Sequence, residues 1–386
     1  MIRADDSLAL YVHWPFCLSK CPYCDFNSHV RDTVDQRRWA NALLAELDHF
    51  AEQMPERRLT SIFFGGGTPS LMPPETVASV IECARTSWRA ADDLEVTLEA
   101  NPTSAEAKNF EAYCAAGVNR ISLGVQALND AALAFLGRAH GAAEAKKAIA
   151  LAQRHAARVS FDLIYARPGQ SVRAWRAELG DALHIGTTHV SLYQLTLEKG
   201  TPFYGAAQRG AFALPDEDGA AELFEATQDI CAAAGLPGYE ISNHARAGDE
   251  CRHNLTYWES GDYVGIGPGA HGRLTLRDTV WATAQQRAPE SWLAGVEARG
   301  HATQSRTEVP ATERATEVLM MGLRLTRGLA RENFARRTGL ALDTVLDARA
   351  VARLENLGLI TLDDTALRAT AAGRQRLNAV LADLCG

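Results

Sequence analysis

The sequence predicts an α/β fold: an incomplete (β/α)6 barrel followed by a smaller helical, winged-helix-like domain. Three observations carry this. Six short β-rich runs alternate with amphipathic helical stretches, a rhythm that fits parallel strands joined by right-handed crossovers. Polar and glycine residues gather just after those runs, where barrels and open sheets alike place their ligands. From Pro310 the texture changes to compact helices and one short hairpin.

The runs Leu8–His13, Ser61–Phe64, Leu94–Leu98, Arg120–Val125, Val159–Ile164 and His189–Leu195 are rich in apolar and β-branched residues and read as strands. Between and after them Asp35–Phe50, Pro74–Trp88, Ala105–Ala116, Ala142–His155, Ser171–Leu183 and Asp216–Ala234 carry helical spacing. A closed eight-stranded barrel needs two further units. After Tyr239 the sequence turns irregular, so a partial barrel fits better. The expected organisation is a barrel over 1–240, a connecting region over 241–309 and a C-terminal domain over 310–386. In the last, Glu313–Leu325, Arg331–Thr338 and Asp343–Asn356 read as helices, and Gly358–Leu362 with Ala366–Thr370 as a hairpin. This stretch holds eleven arginines against nine acids and no lysine, a balance that favours packing or partner docking over DNA binding.

The 386 residues carry a formal net charge of -8, which argues against a broad phosphate-binding surface, and no nucleic-acid partner is expected. The opening MIRADDSLALYVHWPF has early aspartates and no cleavage signature, and no run approaches the roughly 18 apolar residues of a membrane helix. A cytoplasmic protein, free or peripherally attached to a membrane, is expected. Eight cysteines are too few and too unevenly spaced for a disulfide scaffold, yet three of them crowd together.

Those three, Cys17, Cys21 and Cys24, form a CxxxCxxC loop immediately after the first strand. Three thiolates on one tight loop can ligate three irons of a 4Fe-4S cubane and leave the fourth iron open to an external ligand. The rival is a zinc site completed by His13 or His29. Cys83, Cys114, Cys231 and Cys385 read as lone thiols. One βα unit downstream, Gly65-Gly66-Gly67-Thr68 ends a strand, where absent Cβ atoms let the backbone approach a ligand.

Tyr11, the CxxxCxxC loop and Phe64-Gly65-Gly66-Gly67-Thr68-Pro69-Ser70 together closely resemble the radical S-adenosylmethionine (SAM) superfamily, and the resemblance extends over nearly the whole chain to its HemN-like branch. It implies that the open iron chelates SAM, and that reduction of the cluster cleaves SAM to a 5′-deoxyadenosyl radical. By carry-over, Tyr11, Gly66, Gly67, Thr68, Glu99, Gln126, Arg138 and Asp162 match SAM-binding positions, with Tyr23 beside the cluster; that branch can hold two SAM molecules. Arg167 departs from the leucine usual before Pro168, which puts the shape of that loop in question.

Within the branch two functions compete, oxygen-independent coproporphyrinogen III oxidase and the HemW-type haem chaperones that deliver haem to haemoproteins; outside both stands a radical SAM enzyme acting on an unrelated small molecule. Phe26 stands where the oxidases carry a further cysteine, only ten residues precede Tyr11 where they carry a longer segment, and His253-Asn254-Leu255-Thr256-Tyr257-Trp258 matches the HNxxYW motif of HemW. The resemblance therefore implies haem binding, with recipient haemoproteins as partners and a homodimer as one open assembly. An imidazole can ligate haem iron, and Tyr257 and Trp258 offer flat apolar surface for a porphyrin. His253 is the expected ligand, with His271 and Cys251 behind it. Arg252 or Arg246 would meet the haem carboxylates.

Overall fold

The computed structural model describes residues 6–385. The first five residues, read above as lacking a cleavage signature, and Gly386 lie outside them. Six parallel strands follow one another in space as they do in sequence: β1 (Ser7–Trp14), β2 (Arg58–Gly66), β3 (Arg89–Ala100), β4 (Arg120–Gln126), β5 (Arg158–Tyr165) and β6 (His189–Gln194). Strand β6 pairs not with β1 but with the antiparallel β7 (Asn243–Ala245), so the barrel stays open.

The stretch that looks irregular in sequence extends the same sheet. β8 (Tyr263–Ile266) runs parallel to β1, and β9 (His271–Leu276), β10 (Thr279–Gln285) and β11 (Thr303–Glu308) continue it antiparallel. The resulting order is β11-β10-β9-β8-β1-β2-β3-β4-β5-β6-β7.

Helices cover the outer face because each presents one apolar stripe to the strands. The first, Gln36–Gln53, buries Trp39, Leu43, Leu47 and Phe50, and its N-terminus is capped by Asp35, whose side chain accepts from the Arg38 amide. Ala142–His155 buries Ala145, Ala148, Ile149 and Ala152. Ala105–Ala116, read as one helix, is two: Ser104–Ala107 and Phe110–Ala115. Glu106 does not stay on the helix surface but turns inward to accept hydrogen bonds from Ser70 Oγ, the Asn101 amide and Asn101 Nδ2.

The C-terminal region has its own core around Val318, Leu319, Phe334, Leu354 and Val380. Helices Ala311–Gly322, Arg331–Thr338 and Ala348–Asn356 surround a three-stranded sheet of Leu329–Ala330, Ala366–Ala369 and Ile360–Leu362, and Leu377–Cys385 closes it. Among the described residues no helix is long and apolar enough to cross a membrane.

Candidate functional site

The carboxyl ends of β1–β5 and the loop after β1 enclose one chamber open at its mouth. Cys17, Cys21, Cys24, Tyr23, Gly66, Gly67, Thr68, Glu99, Gln126, Arg138 and Asp162 all line it. The sequence spreads these residues over five βα units. The topology brings them to one mouth.

The cysteine loop is held at both ends. Phe16–Cys17 pairs in parallel with His29–Val30, the His29 amide donates to Pro15 O at 2.7 Å, and a turn inside the loop brings the Cys24 amide to Cys21 O at 3.1 Å. Each thiol has a polar neighbour: Thr68 Oγ1 donates to Cys17 Sγ at 3.4 Å, Arg138 Nη1 to Cys21 Sγ at 3.2 Å, and Ser28 Oγ lies 3.9 Å from Cys24 Sγ. Burial raises the Cys17 thiol above its ordinary value, and the Thr68 hydroxyl offsets part of that rise. Among the described residues no three His, Cys, Asp or Glu side chains converge on a single-ion geometry.

The glycine turn has a steric reason. At Gly66 the backbone has φ +112°, and an added Cβ would lie 2.6 Å from the His13 ring. At Gly67 a Cβ would lie 2.7 Å from Phe16 O, a backbone atom of the cysteine loop. The turn and the loop therefore pack backbone to backbone, and the Gly67 amide donates to Trp14 O at 2.7 Å.

Opposite the thiols stand two acids surrounded by protein yet facing the chamber. Burial and the nearby Asp162 push Glu99 up to about 8, against the pull of the Gly66 amide. Burial lifts Asp162 to about 6, while Ser191 and Arg138 lower it. Gln126 ends β4 with φ 69°, a strained backbone for a residue with a side chain, and its Oε1 is buried without a hydrogen-bond partner, as is Nε of Arg138. Such orphaned buried groups ask for an absent partner.

Two expected site residues lie elsewhere. Tyr11 lines a neighbouring cleft that shares Phe26, Gly66 and Glu99 with the chamber and is otherwise walled by Tyr257, Trp258, Tyr263, His271 and Met321, among others. Its hydroxyl is 3.0 Å from His13 Nδ1. His253 faces neither cavity: it is 1% exposed, its Nδ1 lies 3.0 Å from Ser61 Oγ and its Nε2 2.8 Å from Tyr257 Oη. It stacks on Phe63 at 5.0 Å between ring centroids, and burial drops its pKa to about 3. Iron reaching it would have to displace Ser61 or Tyr257. Cys251 is likewise buried, beside Glu95. Arg252 pairs with Asp93.

Asn101, which follows the Glu99-Ala100 end of β3, links the site: its Nδ2 donates to Thr68 Oγ1 at 3.3 Å and its Oδ1 accepts from Arg138 Nη2 at 2.5 Å. Asn27 belongs to no recognisable motif in the sequence, yet it joins two parts of the site. Its Nδ2 donates to Pro268 O at 2.9 Å and Arg287 O at 3.0 Å, tying the cysteine loop to the Gly265–Gly269 loop. The unusual Arg167 forms a buried ion pair with Glu178, which also accepts from the Leu128 amide at 3.0 Å, so its loop is anchored to the following helix.

Comparison with known proteins agrees with this geometry. The radical SAM superfamily model matches residues 11–179, and the HemN C-terminal domain model residues 309–376. "Radical S-adenosyl methionine domain-containing protein 1, mitochondrial" of Bos taurus is 41% identical over 97% of this chain and 87% of its own length. "Heme chaperone HemW" of Escherichia coli is 39% identical over 88% of each. The chain belongs to the HemW-like family of radical SAM proteins. Coproporphyrinogen III oxidase (HemN) from Escherichia coli, a radical SAM enzyme, shares the family's fold: TM-score 0.81 at 21% identity, covering 97% of this chain and 89% of that one. Membership of the superfamily implies a 4Fe-4S cluster and SAM, and the chamber fits both. Two of its three thiols, Cys17 and Cys21, have hydrogen-bond donors beside them, its glycine turn exposes backbone, and its acids face the space a cationic ligand would fill.

Proposed function

We propose that this protein is a haem chaperone of the HemW type, which binds haem and passes it to recipient haemoproteins. Cys17, Cys21 and Cys24 would hold the 4Fe-4S cluster, leaving one iron for SAM, of which the chamber takes one or two molecules. Gly66, Gly67 and Thr68 would meet the SAM backbone, Glu99 and Asp162 its ammonium, sulfonium or ribose, and Gln126 and Arg138 its remaining polar groups; Tyr23 sits beside the cluster and Tyr11 at the boundary with the second cleft. The cluster, when bound, supplies one-electron chemistry at SAM. The protein's own groups orient SAM and hold the charges around it. We place its work in the cytoplasm.

The observation that carries the haem reading is the second cleft. Tyr257 and Trp258 of the HNxxYW segment form its wall, and Phe26 stands at its edge, 61% exposed, where the oxidases of the resembling branch place a cysteine. The reading is also supported by the E. coli relative with the name "Heme chaperone HemW", which is 39% identical over 88% of this chain.

The test uses anaerobically reconstituted full-length protein. Iron and acid-labile sulfide are expected, and should vanish when all three loop cysteines become serine. Haem loaded on the protein should move to an apo-haemoprotein, and coproporphyrinogen III should stay undecarboxylated under reducing conditions with SAM. Decarboxylation with turnover would replace the chaperone by the oxidase.

A further inference from the structure

The second cleft has the parts of a porphyrin seat; His13 and His271 line it, His253 lies behind its wall, and only one of the three is available. His13 and His253 each have both ring nitrogens engaged: His13 by Tyr11 Oη at 3.0 Å and Asn27 O at 2.9 Å, His253 by Ser61 and Tyr257. His271 is exposed at the lip, and among the described residues its ring makes no hydrogen bond. Iron binds the lone pair of a neutral imidazole, so an engaged nitrogen competes with the metal and an unengaged one does not.

We infer that haem sits in this cleft with His271 as the protein ligand to its iron, and that His253 acts behind it as a positioning residue for Tyr257. The inference rests on the haem-chaperone reading.

The backbone presents His271 firmly. It opens β9 directly after the Gly265–Gly269 loop, where Gly267 and Gly269 have φ +94° and +75°, and a Cβ on Gly269 would lie 2.6 Å from Asn27 Nδ2. The Asn27 side chain bonds that loop from the other side, so the imidazole is carried on a fixed turn. Across the cleft the Tyr257 ring meets Tyr263 edge-on at 4.6 Å between centroids, and the Arg324 guanidinium lies 4.5 Å over Trp258. Tyr257, Trp258 and Tyr263 thus give the cleft an aromatic lining of the kind a flat macrocycle packs on. Met321 reaches in from the helix Ala311–Gly322 of the C-terminal domain.

The charge also suits a dianionic porphyrin. Arg273 is taken up by Glu317 at 2.8 Å, but Arg287 is exposed, close enough to His271 to act on it electrostatically, and its guanidinium makes no hydrogen bond among the described residues. A carboxylate at the lip would find it there. The placement also separates two roles within one motif. Tyr257 and Trp258 touch the ligand, while the HNxxYW histidine sets the Tyr257 phenol from below through its 2.8 Å hydrogen bond.

The experiment titrates hemin into the reconstituted full chain and reads both affinity and the ligand field, by the Soret and charge-transfer bands and by EPR. His271→Ala should lose at least about tenfold in affinity (about 1.4 kcal/mol) together with the histidine-ligated signature, and added imidazole should restore that signature. His253→Gln should keep the signature with a smaller loss of affinity. Cluster iron and far-UV circular dichroism, unchanged in both variants, would exclude a folding defect. The inference is overturned if His271→Ala keeps wild-type affinity and spectrum, or if His253→Gln alone erases the histidine signature. Wild-type protein that takes up no hemin would instead sink the chaperone reading itself.

Discussion

Glu95 and Glu99 lie on the same strand and point to the same side of it, four residues and about 13 Å apart, yet they belong to different kinds of place. Glu95, at the barrel floor, is 0% exposed and fully engaged: Arg120 donates through Nε at 3.1 Å and Nη2 at 2.9 Å, Arg158 lies at 3.6 Å, and the Arg252 amide donates at 2.8 Å. Glu99, at the mouth, has Asp162 for an electrostatic neighbour and an open chamber before it. The floor is closed by the segment that follows β6. Arg120 Nη2 donates to Asp249 O, His189 Nε2 lies 3.0 Å from Tyr239 Oη, and Ser61 holds His253. The lesson is about matching. A buried charge whose partners are present holds the fold together, and one whose partners are missing marks where a ligand belongs.

The floor should therefore break hardest. Arg120→Met removes the main partner of a buried carboxylate and should cost about 3–5 kcal/mol of unfolding free energy, read by urea denaturation. Adding Glu95→Leu removes the stranded charge, and the double variant should be more stable than Arg120→Met alone. Equal stabilities of the single and double variants would mean that Arg158 and the Arg252 amide suffice for Glu95, and the contrast between floor and mouth would lose its basis.

How much of this was legible differs along the same line. The six βα units read well because period-2 and period-3.6 patterns alternate strongly there; Ala142–His155 and Arg331–Thr338 fall where the pattern puts them. Strands β9–β11 did not read. Thr303–Glu308 is TQSRTE, an almost wholly exposed edge strand with no apolar alternation to betray it. Chamber residues such as Glu99 and Asp162 were visible because position at a strand's carboxyl end is itself a signal. Asn101 hid behind its capping propensity, although Thr103 and Glu106 in the spacing of a capping box show that the cap has other donors and acceptors. His253 could not be placed from sequence, since a ligand histidine and a core histidine read alike until their partners are known.

A smaller effect tests the backbone contact that shapes the mouth. Gly67→Ala puts a methyl group 2.7 Å from Phe16 O, and a backbone carbonyl fixed by strand pairing cannot step aside as a side-chain tip can. We expect a loss of about 2 kcal/mol and a larger defect in cluster retention, because the strain falls on the residue next to Cys17. Thermal denaturation and iron content report the two separately. A variant with wild-type melting temperature and iron content would show that the turn and the cysteine loop are not rigidly joined.

The gentlest test turns on pH. Glu99 has its pKa raised to about 8 by burial and Asp162, so the folded protein binds more protons than the unfolded chain once the pH exceeds the ordinary carboxylate range. Stability should then fall as pH rises from about 5 towards 8, each unit removing about 1 kcal/mol after allowance for water in the chamber. Glu99→Gln deletes the titration without deleting the shape, so its unfolding free energy should decline less over that interval, with the gap between the two proteins widening as pH rises. Glu95→Gln should show the reverse sense at neutral pH, weakening the fold because it strips Arg120 of its counter-ion. Saturating SAM should flatten the wild-type slope, since a cationic ligand before Glu99 lowers the carboxyl back towards its usual range. Were the two glutamate variants to respond alike, the mouth would be no more in want of a partner than the floor.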